Sequence, residues 1–307
     1  MNTAFIFPGQ ASQRVGMGLE LYSKTKIGKQ YFDLANDIMG LDIKDITFNG
    51  PENMLKQTRY TQPAIYIVSV ILGQLLIESG VIPIAAAGHS LGEYSALTIA
   101  GAFDFSAGLD LVKIRAESMQ VAGEIQSGTM AAIIGLEDTT VEHVCEQAST
   151  SGTVVAANYN APGQIVISGS INGVHRAMDL AREAGARKVV ELKVSGAFHS
   201  PLMTPAREKL MKKLQDTAIN DLTIPVYTNV TTKPVTTADA IRETLINQLE
   251  NPVRWHLSIT NMSGTGITKF IEVGPGRVLQ GLLRRINRKL LVYGVESLTD
   301  ISNFNNV

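Results

Sequence analysis

Two regimes of hydrophobic patterning run along the chain. From residue 1 to about 126, short apolar runs, TAFIFP and IPIAAAGH, alternate with long stretches of helical periodicity such as the one around 61–79. Apolar strands separated by helices predict a parallel α/β sheet. From about 127 to 195 the rhythm shortens to strand GTMAAIIG, helix TTVEHVCEQAS, strand VVAANYN, turn APG, strand QIVISGS, helix NGVHRAMDLAREAG and strand KVVELKVS. That β-α-β-β-α-β order predicts a ferredoxin-like unit. From 196 to 307 the longer pattern returns, with a helix after SPLMTPAREKL, strand PVYTNV, helix ADAIRETLINQL, strand KFIEVG and helix GRVLQGLLRRI. The expected organisation is one α/β subdomain made of 1–126 and 196–307, with 127–195 inserted into it as a ferredoxin-like subdomain. No internal repeat or low-complexity linker interrupts the pattern.

Composition narrows the class. Of 307 residues, 45% are apolar and 18% charged, values typical of folded globular chains. A formal net charge of −1 gives no overall attraction to nucleic acid or to an anionic membrane, so recognition of a charged partner must be local. The N-terminal MNTAFIFPGQ lacks the basic and apolar regions of a signal or transit peptide. The most hydrophobic stretch, 64–88, is broken by Gln74, Glu78 and Pro83 and falls short of a membrane span. The single cysteine, Cys145, shares helical spacing with Val141, Val144 and Ala148, which reads as a core thiol in a reducing, cytoplasmic compartment.

The candidate chemistry centres on Gly88-His89-Ser90-Leu91-Gly92, a G-x-S-x-G pattern with an apolar strand before it and a helix after it. In such a turn the glycines clear space, the serine hydroxyl projects beyond the strand, and the next backbone N–H groups lie at a helix N-terminus, where they can stabilise an oxyanion. The bland alternative is a Gly-rich turn with an N-capping serine. Attack on an acyl carbon needs a base, and histidine suits neutral pH. Of five histidines, His89 is expected to point to the other side of the turn, and His143 and His175 to lie on polar helix faces of the inserted unit. His199 and His256 both fall near strand ends or loops after the insertion, and spacing does not choose between them. No Asp or Glu stands out as a third member of a triad.

The segments FPGQASQRVGMG (7–18), GHSLGEYSAL (88–97), KIRAESMQ (113–120), NYNAPGQIVISG (158–169), SGAFHSPLM (195–203), NPVRW (251–255) and EVGPGRVLQGL (272–282) resemble the malonyl-CoA:acyl carrier protein acyltransferases. That family includes the transacylase of fatty-acid synthesis and the acyltransferases of polyketide synthases. The resemblance runs in order over nearly the whole chain. It implies an α/β-hydrolase-like core with a ferredoxin-like lobe, a Ser90–His199 dyad, and a histidine oriented by a backbone carbonyl at the position of Gln248. It also implies an oxyanion hole from the N–H groups of Gln10 and Leu91. Arg115 then holds the malonate carboxylate, as an arginine fork can do bidentately, instead of snorkelling from an amphipathic helix.

Other assignments are looser. Asn158 and Asn160 either bond the pantetheine arm or cap a hairpin. Phe198 matches a position that is typically Phe in malonyl-selective relatives, and Gly196, larger in many of them, is expected to loosen the loop. Arg284, Arg285, Arg288 and Lys289 form a basic run suited to docking an acidic carrier, or are a solvated face. The implied substrates are malonyl-CoA and a phosphopantetheinylated acyl carrier protein, with no metal or redox cofactor, no nucleic acid, no membrane, and a monomeric enzyme. Rival functions are a free-standing acyltransferase serving polyketide synthase modules, a hydrolase clearing acyl groups from carriers, and a carrier-binding scaffold without catalysis.

Overall fold

The computed structural model describes residues 2–304. Among the described residues, ten strands form two sheets. The larger has the order β10-β9-β1-β2-β7-β8, comprising β1 (Thr3–Phe7), β2 (Ala85–Gly88), β7 (Val226–Tyr227), β8 (Pro234–Val235), β9 (Lys269–Val273) and β10 (Leu291–Val295). All its pairings are parallel except β7 with β8. Alternate residues of the central strands enter different cores, as the two-residue period of a strand requires. Phe5, Phe7 and Ala86 join a core with the helices Thr58–Glu78 and Phe105–Ile125 on one face. Ala4, Ile6, Ala85 and Ala87 join Trp255, Phe270 and Leu279 on the other. Burial on both faces explains why these strands are apolar throughout.

Thr58–Glu78 is long and apolar enough to cross a membrane, but it is mostly buried in the larger core. An all-round apolar surface is what a central core helix needs.

The second sheet has the antiparallel order β4-β5-β3-β6, from β3 (Gly128–Ile134), β4 (Val154–Ala161), β5 (Gln164–Ser170) and β6 (Lys188–Glu191). The helices Asp138–Ala148 and Ile171–Glu183 complete the ferredoxin-like order and share a separate core that includes Ile133, Val141, Ile165 and Val174. Cys145 lies in that core, where burial pushes its thiol up to about 12. The sheets meet where β4 runs beside Val253: Tyr159 donates its N–H to the Val253 carbonyl at 2.9 Å, and Val253 donates to Ala157 at 2.8 Å.

The structure adds elements beyond those expected from the sequence pattern. Helices Leu19–Lys24, Lys26–Met39 and Ile43–Asn49 follow β1, and β10 closes the sheet edge with a half-exposed strand. Two expected strands are shorter than their apolar segments. KVVELKVS pairs only over Lys188–Glu191, and PVYTNV only over Val226–Tyr227. The second shortening leaves Thr228 and Asn229 free of the ladder, beside the end of β2.

Candidate active site

The turn after β2 is built by steric exclusion. A Cβ on Gly88 would collide with the backbone of Gly92 and Glu93, and one on Gly92 with the carbonyls of Phe7 and Pro8. Ser90 between them has φ 51°, in the left-handed region that a non-glycine residue occupies at a cost of order ~1–3 kcal/mol. The helix Gly92–Ile99 starts directly after it.

His199 is the histidine brought to Ser90. It also adopts a left-handed backbone, φ 57°, is buried, and places Nε2 2.8 Å from Ser90 Oγ. Its Nδ1 lies 2.9 Å from the Gln248 carbonyl and 3.2 Å from that of Asn251. Carbonyls only accept, so Nδ1 carries the proton and Nε2 is left as the acceptor facing the serine. Gln248 ends the helix Ala238–Gln248, where the last carbonyls have no partner within the helix. Burial, with the neighbouring Arg115 charge second, pushes the imidazole down to about 3 and keeps it neutral at physiological pH.

Arg115 is fully buried on the Phe105–Ile125 helix. One guanidinium nitrogen donates to Gln62 Oε1 at 2.6 Å, and the other lies 3.0 Å from both Ser90 Oγ and Gln248 Oε1. Its Nε is buried without a hydrogen-bond partner among the described residues. The guanidinium thus faces neutral oxygens, with donor capacity left over. Burial depresses its pKa below the usual arginine value. Among the described residues no acceptor takes the backbone N–H of Gln10 or Leu91. Both residues line the same cavity as Ser90, His199 and Arg115, a space of ≈ 250 Å³ between the end of the large sheet and the smaller one.

Further expectations resolve differently. His89 does not turn away: it lines the cavity and its Nε2 lies 2.8 Å from Asn160 Oδ1, because the small sheet brings β4 over the elbow. Asn160 therefore bonds a side chain of the core and not the backbone of its own hairpin, and Asn158 also lines the cavity. His143 and His175 are half-exposed or more, and His256 is 3.6 Å from Asp138, apart from the serine. Phe198 is buried at the cavity wall. Gly196 does not loosen its loop, since it packs on the Gly123 backbone with little room for a Cβ. Arg284, Arg285, Arg288 and Lys289 are exposed, and the first three line an open groove with Arg187 and Gly163. Arg285 donates to Gln164 Oε1 at 2.6 Å.

Three contributions lie outside the sequence reading: the Gln248 side chain, Asn229 and Glu93. Gln248 Nε2 donates to the Ser90 carbonyl at 3.1 Å. Asn229 contacts the backbone on both sides of His89, and Glu93 accepts the Asn229 N–H at 2.8 Å. Glu93 is fully buried, which pushes its carboxyl up to about 7 against the opposing pull of that hydrogen bond. Glu93 and Asn229 sit in GHSLGEYSAL and PVYTNV, where each has other polar residues beside it, so no local signal singles them out.

The family model described as "Acyl transferase domain" matches residues 4–299, and the chain belongs to that family of acyltransferases. Closer relatives narrow the assignment. The malonyl CoA-acyl carrier protein transacylase of Bacillus subtilis (strain 168) is 43% identical over 293 residues, covering 95% of this chain and 92% of that protein. A crystal structure of an acyl carrier protein S-malonyltransferase from Vibrio cholerae O1 biovar eltor matches with TM-score 0.95 at 40% identity, covering 99% of this chain and all of that one. A malonyl-transacylase solved in complex with a type II PKS acyl-carrier protein matches with TM-score 0.95 at 38% identity, covering 100% of this chain and 99% of that one. Within the acyltransferases, the chain is a member of the malonyl-CoA:acyl carrier protein transacylase family.

Proposed function

We propose that this enzyme moves a malonyl group from malonyl-CoA to the phosphopantetheine thiol of an acyl carrier protein, in two half-reactions through a malonyl ester of Ser90. The observation that carries the reading is the convergence on one oxygen: Ser90 Oγ lies 2.8 Å from a neutral, proton-accepting His199 Nε2 and 3.0 Å from the buried Arg115 guanidinium. The malonate carboxylate is one methylene away from the carbonyl that Ser90 attacks. A guanidinium beside the nucleophile is therefore in reach of it.

In the first half-reaction Ser90 Oγ bonds to the thioester carbon while its proton passes to His199 Nε2. The tetrahedral oxyanion is held by the N–H groups of Leu91 and Gln10, and the C–S bond then breaks as His199 returns the proton to the leaving CoA thiolate. In the second, the carrier thiol gives its proton to His199 and its sulfur takes the acyl carbon. The proton then goes back to Ser90 as the ester bond breaks. No step calls for a metal or redox cofactor. Preorganised oxyanion donors contribute roughly 3–4 kcal/mol each to such steps.

Residues 127–195 act in this reading as a lobe closing over the substrate arm, with Asn158 and Asn160 beside it. Phe198 walls the acyl pocket. The Arg284, Arg285, Arg288 and Lys289 face steers the carrier, and the enzyme works as a cytoplasmic monomer. Intact mass after mixing with malonyl-CoA tests the core of the proposal: a gain of one malonyl unit in the wild type and none in Ser90→Ala. Label on the variant would place the nucleophile elsewhere.

A further inference from the structure

The ladder between β2 and β7 pairs Ala86 with Val226 and Ala87 with Tyr227, and then stops. Beyond it the chain at Gly88 turns sharply into the elbow, and backbone from the β7 side cannot follow. Two backbone groups of the elbow, the Gly88 carbonyl and the Ser90 N–H, are instead bonded to a single side chain. Asn229 Nδ2 donates to Gly88 at 2.6 Å, and Asn229 Oδ1 accepts from Ser90 at 2.7 Å. A primary amide offers a donor and an acceptor in one plane, as a peptide does, so this side chain continues the ladder into the turn. The reverse amide orientation would face donor to donor and acceptor to acceptor, so the network itself fixes which end is oxygen.

Asn229 is itself clamped. Its N–H donates to Glu93 Oε2 at 2.8 Å, its carbonyl accepts from Arg254 N–H at 3.1 Å, and the residue is 1% exposed. On the other side of the serine, Gln248 Nε2 donates to the Ser90 carbonyl at 3.1 Å. A trans peptide sets its N–H opposite its carbonyl, so holding the Ser90 carbonyl also fixes the direction of the Leu91 N–H. The two peptides flanking Ser90 are thus each held by a buried carboxamide from a distant part of the chain. A left-handed residue persists only where its surroundings over-determine it.

We propose that Asn229 is a positioning residue for acyl transfer: its carboxamide holds the left-handed Ser90 backbone so that Oγ stays within reach of His199. This rests on the reading of Ser90 as the acyl carrier. Asn229→Asp keeps size and shape, and keeps an acceptor for Ser90. Ionised, however, it turns the donor facing the Gly88 carbonyl into a second acceptor. A protonated Asp restores that donor.

The test is single-turnover loading by malonyl-CoA, followed by intact mass across pH, for wild type, Ser90→Ala, Asn229→Asp and Asn229→Ala. Both Asn229 variants are expected to load about 100-fold more slowly at neutral pH, with the half-saturating malonyl-CoA concentration within about threefold of wild type. The Asp variant's deficit, taken relative to wild type, should shrink as pH falls. A saturated rate within about twofold of wild type in either variant overturns the proposal. So does a deficit lying wholly in the half-saturating concentration, or an Asp deficit that is flat with pH. If the Asp variant proves insoluble, the Ala variant decides by the first two readouts. Loading of Ser90→Ala would overturn the nucleophile assignment instead, a result distinct from the failure of the Asn229 role.

Discussion

His199 Nδ1 is held by the main-chain carbonyl of Gln248 at 2.9 Å, the place where a carboxylate stands in a Ser-His-Asp triad. A neutral partner raises the basicity of the ring less than a carboxylate would, and burial, followed by the charge of Arg115, outweighs the hydrogen bonds to the Gln248 and Asn251 carbonyls and lowers it. The ring is therefore kept neutral and held by geometry, and this gives a signature in stability.

His199 has an ordinary value of 6.5 and is pushed down to about 3 in the fold. Between those values the unfolded chain binds a proton that the folded chain refuses, so this group's contribution to stability falls as pH drops from about 6.5 toward 3. Glu93 has the opposite sign. Its folded value of about 7 lies above the ordinary 4.5, so its contribution is lost as pH rises through that window. Thermal unfolding from about pH 4 to 8 should show His199→Gln losing less on acidification than wild type, and Glu93→Gln losing less on the neutral side. Variant curves parallel to wild type would refute both assignments.

Arg115 is buried with only neutral oxygens hydrogen-bonded to its guanidinium and the Glu93 carboxyl nearby, and on the proposed reading an arriving malonate carboxylate becomes its direct ion-pair partner. Arg115→Ala should cost malonyl loading about 2–5 kcal/mol, as truncating one partner of a buried charge pair does, while acetyl loading suffers much less. Arg115→Lys should recover only part, since a point charge cannot hold a carboxylate bidentately. Loading rates with malonyl-CoA and acetyl-CoA measure this directly. Equal losses for the two substrates would remove the carboxylate role.

The parts of this molecule that were legible from sequence are those encoded by local rules. Apolar strands, the G-x-S-x-G turn and the β-α-β-β-α-β rhythm each depend on neighbouring residues, and each has its counterpart in the structure. What local rules do not carry is contact between distant segments. Gln248 meets Ser90 across 158 residues and Asn229 meets it across 139, with nothing in either flank to announce the pairing. His89 illustrates the same limit, because its direction is set by Asn160 on the small sheet and not by the turn that carries it. The short β7 is a further case: PVYTNV has strand composition, but the elbow beside it ends the ladder after two residues.

Arg284, Arg285 and Arg288 line an open groove beside the small sheet, and Arg285 reaches across to Gln164 on β5. Exposed charges of this kind act chiefly on association rate and its salt dependence. Arg284→Glu combined with Arg285→Glu should therefore leave malonyl loading from CoA intact and raise the carrier KM at low salt, the difference narrowing as salt is added. Steady-state transfer to a holo carrier protein at two ionic strengths provides the measurement. An unchanged carrier KM would discard the groove as a docking face.

On the proposed reading Phe198 walls the acyl pocket, and Gly196 packs behind its ring. Phe198 is a buried wall of the cavity, and on the proposed reading a methyl on the substrate α-carbon clashes with the ring or displaces it, at a cost of about 1–3 kcal/mol. Phe198→Ser should therefore narrow the preference for malonyl-CoA over methylmalonyl-CoA without abolishing malonyl transfer. Gly196 supports the same ring from behind: a Cβ there would lie 3.2 Å from Gly123 Cα and 3.3 Å from Phe198 Cε1. The Gly123 backbone belongs to the hydrogen-bonded Phe105–Ile125 helix, whereas Phe198 presents only the edge of a side-chain ring. The ring is the element that can move. Gly196→Ala is thus expected to lower Tm by a few degrees, corresponding to roughly 1 kcal/mol of overpacking, and to shift the malonyl to methylmalonyl ratio by displacing Phe198. Competition between equal concentrations of the two thioesters, with wild type and both variants, reads the ratio. A wild-type enzyme that loads both equally would refute the Phe198 wall, and a Gly196→Ala enzyme with unchanged Tm and ratio would show that the loop, not the ring, absorbs the added methyl.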